Sequence, residues 1–277
     1  MRKSGAPVSS TLGIERNTLM TKNVATKMNR GHRSSIRRSK PDDLDAIHNW
    51  LIDEEAQGVH GNFLCNWSII ERAHRDGELL VYVGGRTGLP LAFQLGGLIR
   101  PGILQVRHAY RGTGIGRKMV QRCISLASKR DQCLLYIECK PSTSIPFWQR
   151  MGFTLIESAN GKNYSYQIID KPLQLSEQGV AVAVLIRFFP ESRKWEPNTK
   201  PYAAFSPPAK LTLNGTIYLA HRVQFHEEVF PDVHDVVVEI EVEGSNRYSD
   251  KAKYDDARKI GVTRCINGYY IDVVHPA

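Results

Sequence analysis

Residues 104–116, LQVRHAYRGTGIG, place the end of an apolar strand directly before a glycine-rich turn. A helix-forming stretch, RKMVQRCISLASKR, follows at residues 117–130. Glycine readily adopts the positive φ values that let successive backbone N–H groups point at one spot. A helix N-terminus favours negative charge, and Arg111 adds a cation whose fork geometry suits phosphate oxygens. The turn is therefore predicted to bind a phosphate.

Other phosphate-binding patterns also place a glycine-rich turn between a strand and a helix. The dinucleotide fingerprint needs one more glycine, where Met119 stands, although Glu138 lies at about the distance of its ribose-binding acid. The P-loop ends in Gly-Lys-Ser/Thr, which is absent here. Arg111, Gly114 and Gly116 instead form an R-x-x-G-x-G pattern.

The order of elements around this pattern resembles the GNAT superfamily of N-acetyltransferases, whose acyl-CoA pyrophosphate loop reads R/Q-x-x-G-x-G/A. Before the loop, the resemblance covers the family's first strand and helix, then its second and third strands, in SSIRRSKPDDLDAIHNWL (34–51), ELLVYVGG (78–85) and LAFQLGGLIR (91–100). After the loop it covers strand five, a helix leading into a strand, and the closing strand, in LLYIECK (134–140), SIPFWQRMGFTLI (144–156) and NYSYQIID (163–170). The resemblance spans about residues 34–171. It implies an α+β fold with a mixed sheet whose strands four and five splay apart.

The resemblance also implies a reaction and a cofactor site. The enzyme would move an acetyl group from acetyl-CoA, its co-substrate, to a primary amine on a small molecule or a protein. Backbone groups of Leu104, Gln105 and Val106 would bond the pantetheine arm, and one of their N–H groups would face the oxyanion. The pyrophosphate would be surrounded by the loop and the first residues of the helix, namely Arg111, Gly112, Thr113, Gly114, Ile115, Gly116 and Arg117.

The acid and base of such a reaction are not defined by the sequence. An attacking amine must lose a proton, and the leaving thiolate is helped by an acid. Trp148 stands where the family often has a tyrosine, and an indole N–H only donates a hydrogen bond. Gly102 and Ile103 stand where some members carry a catalytic glutamate.

Three ionisable residues remain as weak catalytic candidates: Glu55, His60 and Glu138. Glu55 forms a pair with Glu54, for which a solvated helix end is the plainer interpretation, since most glutamates are exposed. His60 lies in the segment that matches the family's substrate-side region. Glu138 lies within the fifth strand, where a structural role is the alternative.

The formal net charge of +9 lies entirely in the first 40 residues, which carry ten Lys or Arg and a single Glu. We expect residues 1–33 to be a disordered basic tail. The tail could have no specific function, contact nucleic acid or an acidic partner, act as a transit segment, or precede the true start of translation. The charge therefore says little about the folded part.

The five cysteines are scattered and odd in number, which favours reduced thiols in a cytoplasmic protein. No His or Cys cluster predicts a metal site. No apolar run approaches the ~20 residues that span a bilayer, so no membrane contact is expected. The oligomeric state is left open.

Residues 34–173 are expected to form the acetyltransferase domain, and residues 174–277 a second, mostly β module, here called the C-terminal module. It contains strand-like runs and Asn-Gly turns at 214–215 and 267–268, a helical stretch over 249–259 and a last strand over 268–274. Glu239, Glu241 and Glu243 alternate with apolar residues and should share one face. The plainer interpretation of that face is a solvated acidic surface rather than a metal site.

A second hypothesis belongs to another class of protein. The chain would bind acyl-CoA as a degenerate acetyltransferase and act as a regulator that binds nucleic acid or protein. The missing tyrosine and the missing strand-four glutamate favour this view. The glycine-rich loop predicts acyl-CoA binding under both hypotheses.

Overall fold

The computed structural model describes residues 33–99, 102–157, 161–230, 235–266 and 268–276. The predicted basic tail lies, apart from Arg33, outside the described residues, and so does any contact that it makes with nucleic acid. Among the helices of the described part, none is long and apolar enough to cross a membrane.

The first sheet is antiparallel, with the order β1-β2-β3-β4. Its strands and the two helices between β1 and β2 are β1 Ser35–Arg38, α1 Pro41–Ala56, α2 Trp67–Arg75, β2 Leu80–Val83, β3 Pro90–Leu95 and β4 Ile103–Val106. Helix α1 begins at Pro41, because proline suits the first helical position and the Asp43 carboxylate accepts the Lys40 N–H at 2.7 Å. Helix α2 is not among the elements predicted from the sequence.

The second sheet has the order β5-β7-β6 and is also antiparallel. Its elements, with the helix that follows β4, are α3 Ile115–Lys129, β5 Leu134–Glu138, α4 Ile145–Arg150, β6 Thr154–Glu157 and β7 Asn163–Ile168. Strands β4 and β5 belong to different sheets, and in the described residues a single isolated bridge, Ile99–Tyr136, joins the two sheets. The predicted α+β fold with splayed strands four and five is therefore confirmed.

The C-terminal module is mostly β, as predicted. Its elements are β8 Val180–Val182, β9 Val184–Pro190, β10 Ala203–Phe205, β11 Ala209–Leu211, β12 Ile217–His226, β13 Val236–Val242, β14 Ser245–Lys251, α5 Asp255–Lys259, β15 Thr263–Cys265 and β16 Gly268–Val274. They form two sheets, β10-β9-β13-β14 and β15-β16-β12-β11-β8. Side chains from both sheets share one core, in which the rings of Phe188 and Phe225 stack at 5.0 Å.

Two expectations for this module are wrong. The stretch 249–259 is helical only over Asp255–Lys259, because a tight turn at Glu243 and Gly244 (φ 48° and 73°) returns the chain along β13 as strand β14. Glu243 therefore lies in the turn, outside the strand that carries Glu239 and Glu241. Those two carboxylates both pair with Arg187. No group of three or more His, Cys, Asp or Glu in the described residues could hold a metal ion.

The C-terminal module contacts the second sheet. Lys171 and Leu173 run beside β12: the Lys171 carbonyl accepts the Arg222 N–H at 3.1 Å, and the Leu173 N–H donates to the Ala220 carbonyl at 2.8 Å. The Arg222 side chain is buried there and makes a forked pair with Asp272, with N–O distances of 2.7 and 2.6 Å. The two parts of the chain are thus joined by backbone bonds as well as by packing.

Candidate active site

A cavity of about 800 Å³ lies where β4 and β5 diverge. One wall is β4 and the turn that follows it, and the opposite wall is the end of β5 with residues 140–151. His60, Gly61 and Phe63, from the connection between α1 and α2, form a third side. The gap between the two sheets is therefore an open site with wall residues from both.

The unpaired edge of β4 faces this gap. Phe93 is opposite Gln105 in the β3–β4 ladder, and the Arg107 N–H donates to the Leu91 carbonyl at 2.9 Å. In an antiparallel ladder, backbone groups of alternate residues point to the same side. The N–H of Gln105 therefore points to β3, whereas the N–H groups of Leu104 and Val106 point into the gap.

The glycine-rich turn leaves an array of N–H groups without protein acceptors. Gly112 and Gly114 have φ values of 79° and 83°, and a Cβ added to either would meet no atom within 4 Å. Helix α3 begins directly after Gly114, and the first N–H groups of a helix have no intrahelical partner. In the described part of the chain, none of the N–H groups of residues 112–117 donates to a protein acceptor.

Gly116 has a different reason to be glycine. A Cβ there would lie 3.2 Å from Cζ of Phe147, so its absence lets α3 approach α4 closely. Ile115 is buried among the apolar side chains around Met119, and the Thr113 hydroxyl donates to the Tyr110 carbonyl at 2.6 Å. The side chains of Thr113 and Ile115 thus hold the turn, and neither residue lines the cavity.

Arg111 is fixed by two carbonyl groups. Its Nε donates to the Val106 carbonyl at 3.2 Å and its Nη1 to the His60 carbonyl at 3.1 Å. The guanidinium therefore ties the substrate-side connection to the end of β4. The Val106 carbonyl thus already accepts one hydrogen bond, whereas the N–H of that residue is directed into the gap without a protein acceptor in the described residues.

The cavity lining is strongly basic. The cationic side chains in the lining are Arg111, Arg117, Lys140 and Arg150, against Glu138 as the acidic one. Clefts lined by one sign of charge concentrate ligands of the opposite sign. The arrangement suits a ligand that carries several phosphate groups.

The three weak catalytic candidates lie in different surroundings. His60 and Glu138 line the cavity, whereas Glu55 is exposed at the end of α1 and does not. Trp148 also lines it and packs edge-on against Phe147 and Phe153, with ring centroids at 5.0 and 5.2 Å. Of the four groups, His60 and Glu138 are thus the ionisable side chains that line the cavity.

The thiols near this region are unsuited to nucleophilic attack. Burial raises the pKa of Cys139 above its ordinary value, although the hydroxyl of Ser165, at 3.1 Å, acts in the opposite direction. Burial likewise raises the pKa of Cys123 to about 12. The thiolate is the reactive form of cysteine, so neither residue is activated.

The solvated helix end expected for the pair Glu54 and Glu55 is wrong for Glu54, and the sequence assigned no role to Ser144. Glu54 is buried, with 5% of its surface exposed, and hydrogen-bonds to Gln105 and to the backbone of His108. The spacing of Ile47, Leu51 and Glu54 along one face of α1 is the signal that could have found it. Ser144 lines the cavity, and its buried hydroxyl has no hydrogen-bond partner in the described residues.

Comparison with known proteins agrees with this geometry. The family model described as an acetyltransferase (GNAT) domain matches residues 70–155. No curated protein sequence matches the chain. The chain therefore contains, within residues 70–155, a region that matches a GNAT acetyltransferase domain.

Several solved structures are similar to about half of the chain. A GNAT-family acetyltransferase from Listeria monocytogenes is 16% identical with a TM-score of 0.40, covering 50% of this chain and 96% of its own. A ribosomal-protein-alanine N-acetyltransferase from Brucella melitensis is 23% identical with a TM-score of 0.37, covering 48% and 99%. A putative acetyltransferase from Salmonella typhimurium with its cofactor acetyl-CoA is 18% identical with a TM-score of 0.37, covering 52% and 99%. These TM-scores are too low for the solved structures to support an argument. The similarity to the family is therefore based on the family model that matches residues 70–155.

Proposed function

We propose that this protein transfers an acetyl group from acetyl-CoA to a primary amine on a small molecule or a protein. The observation that carries the proposal is the gap between β4 and β5, which opens directly beside the N–H array of residues 112–117. An elongated ligand with a diphosphate at one end and a thioester at the other would fit both features. This fit and the match to the family support acetyl-CoA as the co-substrate.

In this proposal the diphosphate accepts hydrogen bonds from the N–H groups of residues 112–117, helped by the cationic lining. The pantetheine arm lies along β4 and bonds its free edge as an added strand would. The N–H of Leu104 or Val106 then donates to the thioester oxygen, where negative charge develops during attack. Each contact uses a backbone group that has no protein acceptor in the described residues.

The chemistry demands little of the side chains. The acceptor amine, with an ordinary pKa near ~10.4, must lose its proton to water or to His60 or Glu138 on the cavity wall. The leaving thiolate belongs to a class with a pKa of roughly 8.5, so it can depart near neutral pH without full protonation. A tyrosine at the place of Trp148 is thus dispensable for transfer.

The same proposal divides the chain into an acetyltransferase domain at residues 34–173 and an accessory module at 174–277. It places the enzyme in the cytoplasm, supported by cysteines that are not joined as disulfides in the described residues. One observation favours the second candidate function, an acyl-CoA-binding regulator without turnover. Trp148 offers no proton at the position from which the family commonly supplies one.

Two measurements on the full chain test the proposal. Acetyl-CoA should raise the melting temperature, because a ligand of the folded state stabilises it by mass action. Release of free thiol from acetyl-CoA is then followed with spermidine, a peptide with a free N-terminus and an N-terminally blocked lysine peptide. Turnover with one of them supports the enzyme; stabilisation without any turnover supports the regulator. No stabilisation would reject both.

A further inference from the structure

A buried carboxylate stands behind the reactive end of the cavity. Oε1 of Glu54 accepts the backbone N–H of His108 at 2.5 Å, and Oε2 accepts an N–H of the Gln105 side chain at 3.3 Å. In the part of the chain that the structure describes, Glu54 takes part in no ion pair. A buried carboxylate is expensive unless its hydrogen bonds are made, so these two contacts hold it in place.

The side chain of Gln105 is held by two hydrogen-bond partners, one of which donates while the other accepts. It is 3% exposed, lines the cavity, and its Oε1 accepts the backbone N–H of Phe63 at 3.0 Å. Because that N–H only donates and the Glu54 carboxylate only accepts, the Gln105 amide has a single orientation. The chain of contacts joins the end of α1, strand β4 and the substrate-side connection.

We propose that Glu54 is a positioning residue for acetyl transfer, acting through Gln105 and the N–H of His108. This inference rests on the proposed function. Gln105 lies between Leu104 and Val106, whose N–H groups face the gap, and Phe63 lines the cavity on the connection between α1 and α2. Holding these elements in register fixes the distance between nucleophile and thioester, and a misplacement of about 1 Å can cost ~100-fold in rate.

Glu54 is not assigned as a general base. It does not line the cavity, and each of its oxygens already accepts a hydrogen bond from the protein. A general base must reach the proton that it removes, directly or through one water. The two roles predict different pH profiles, which the experiment below uses.

The test compares three variants of the full chain with the wild type: Glu54→Gln, the double variant Glu54→Gln with Gln105→Glu, and the control Asp53→Asn on the exposed side of the same helix. In Glu54→Gln one of the two acceptors becomes a donor, so either the His108 N–H or the Gln105 amide loses its partner. The double variant restores every pair, since the new amide donates to the new carboxylate at position 105. That carboxylate still accepts the Phe63 N–H.

We expect kcat for acetyl transfer to fall about 10- to 100-fold in Glu54→Gln, with KM for acetyl-CoA within about twofold, as for lost positioning. Asp53→Asn should match the wild type, and the double variant should regain most of the loss. The acidic limb of the pH profile should persist in Glu54→Gln. Wild-type kcat in Glu54→Gln, no gain in the double variant, or disappearance of the acidic limb would each overturn the inference.

If no amine supports turnover, the proposed function has failed, but the network around Glu54 can still be tested by amide hydrogen exchange. Loss of a buried hydrogen bond lowers protection from exchange, so the amide of His108, or that of Phe63 if the Gln105 amide turns, should exchange about 5- to 150-fold faster in Glu54→Gln. That amide should return toward the wild-type rate in the double variant. Unchanged exchange in Glu54→Gln would refute the network as a positioning device.

Discussion

Replacing Gly114 by alanine should separate backbone strain in the turn from binding of acetyl-CoA. Gly114 has a φ of 83°, and an added Cβ would meet no atom within 4 Å. Alanine in this left-handed conformation costs about 1–2 kcal/mol, and no steric overlap adds to it. Since 1 kcal/mol shifts the melting temperature of a chain of this size by roughly 2–4 °C, Gly114→Ala should melt about 2–8 °C lower.

Gly88 offers a matched control. It lies in the connection between β2 and β3, has a φ of 67°, and also has open space around an added Cβ. Gly88→Ala should therefore lose a similar amount of stability. Acetyl-CoA at about 100 times its Kd stabilises by ~2.7 kcal/mol, or about 5–11 °C. Gly88→Ala should keep this gain, whereas the methyl group of Gly114→Ala occupies the space in front of the N–H array and should remove most of it.

The assay is thermal unfolding of both variants and the wild type, with and without acetyl-CoA, with calorimetry for the Kd. An equal gain in Gly114→Ala and Gly88→Ala would refute the assignment of the turn as the diphosphate site. A much larger loss in Gly114→Ala without ligand would show that the turn packs against a neighbouring segment, contrary to the geometry above.

Three further predictions concern other parts of the chain. Ser144→Ala removes a buried hydroxyl that has no partner in the described residues, so it should raise stability by about 1 kcal/mol yet weaken acetyl-CoA binding, as melting curves and calorimetry will show. Burial acts to raise the pKa of Asp43, but hydrogen bonds from Arg37 and the Lys40 backbone outweigh it and hold that pKa below its usual range. The stabilisation is present above the unfolded pKa of about 3.9 and lost as pH falls through the folded value, so Asp43→Asn should unfold at lower urea at pH 7 and show less acid sensitivity below ~pH 4. Phe225→Ala should cost about 3–5 kcal/mol in urea unfolding of the C-terminal module.

Much of the acetyltransferase domain could be predicted because its signals are local. Several glycines directly before a helix predict a left-handed turn with free N–H groups, and this prediction needs only a few neighbouring residues. The start of α1 follows from Pro41 and Asp43 in the same way. The prediction that strands four and five splay apart, by contrast, came from the family resemblance, because no local sequence pattern indicates that two strands do not pair.

The positioning network could not be predicted as a whole because it depends on long-range contacts. Glu54 and Gln105 are 51 positions apart, and only the fold brings them together. The helical spacing of Glu54 after Ile47 and Leu51 indicates a buried face of α1, although the sequence favoured a solvated helix end, and no local pattern identifies its partner. The false helix at 249–259 has a similar cause, since pairing with β13 outweighs the local helix preference of that stretch.

The C-terminal module contacts β5 and does not line the cavity in the described residues. The described lining extends no further along the chain than Met151. Along β5, Leu135 and Ile137 pack toward α3 and α4, whereas Leu134 and Tyr136 lie in the cluster that Val229 of the module contacts. Strand β5 has no strand pairing with β4 and pairs with β7 instead, so its two faces are packed by different parts of the chain. Val229 of the module packs against one of these faces, which places the module behind this wall of the cavity.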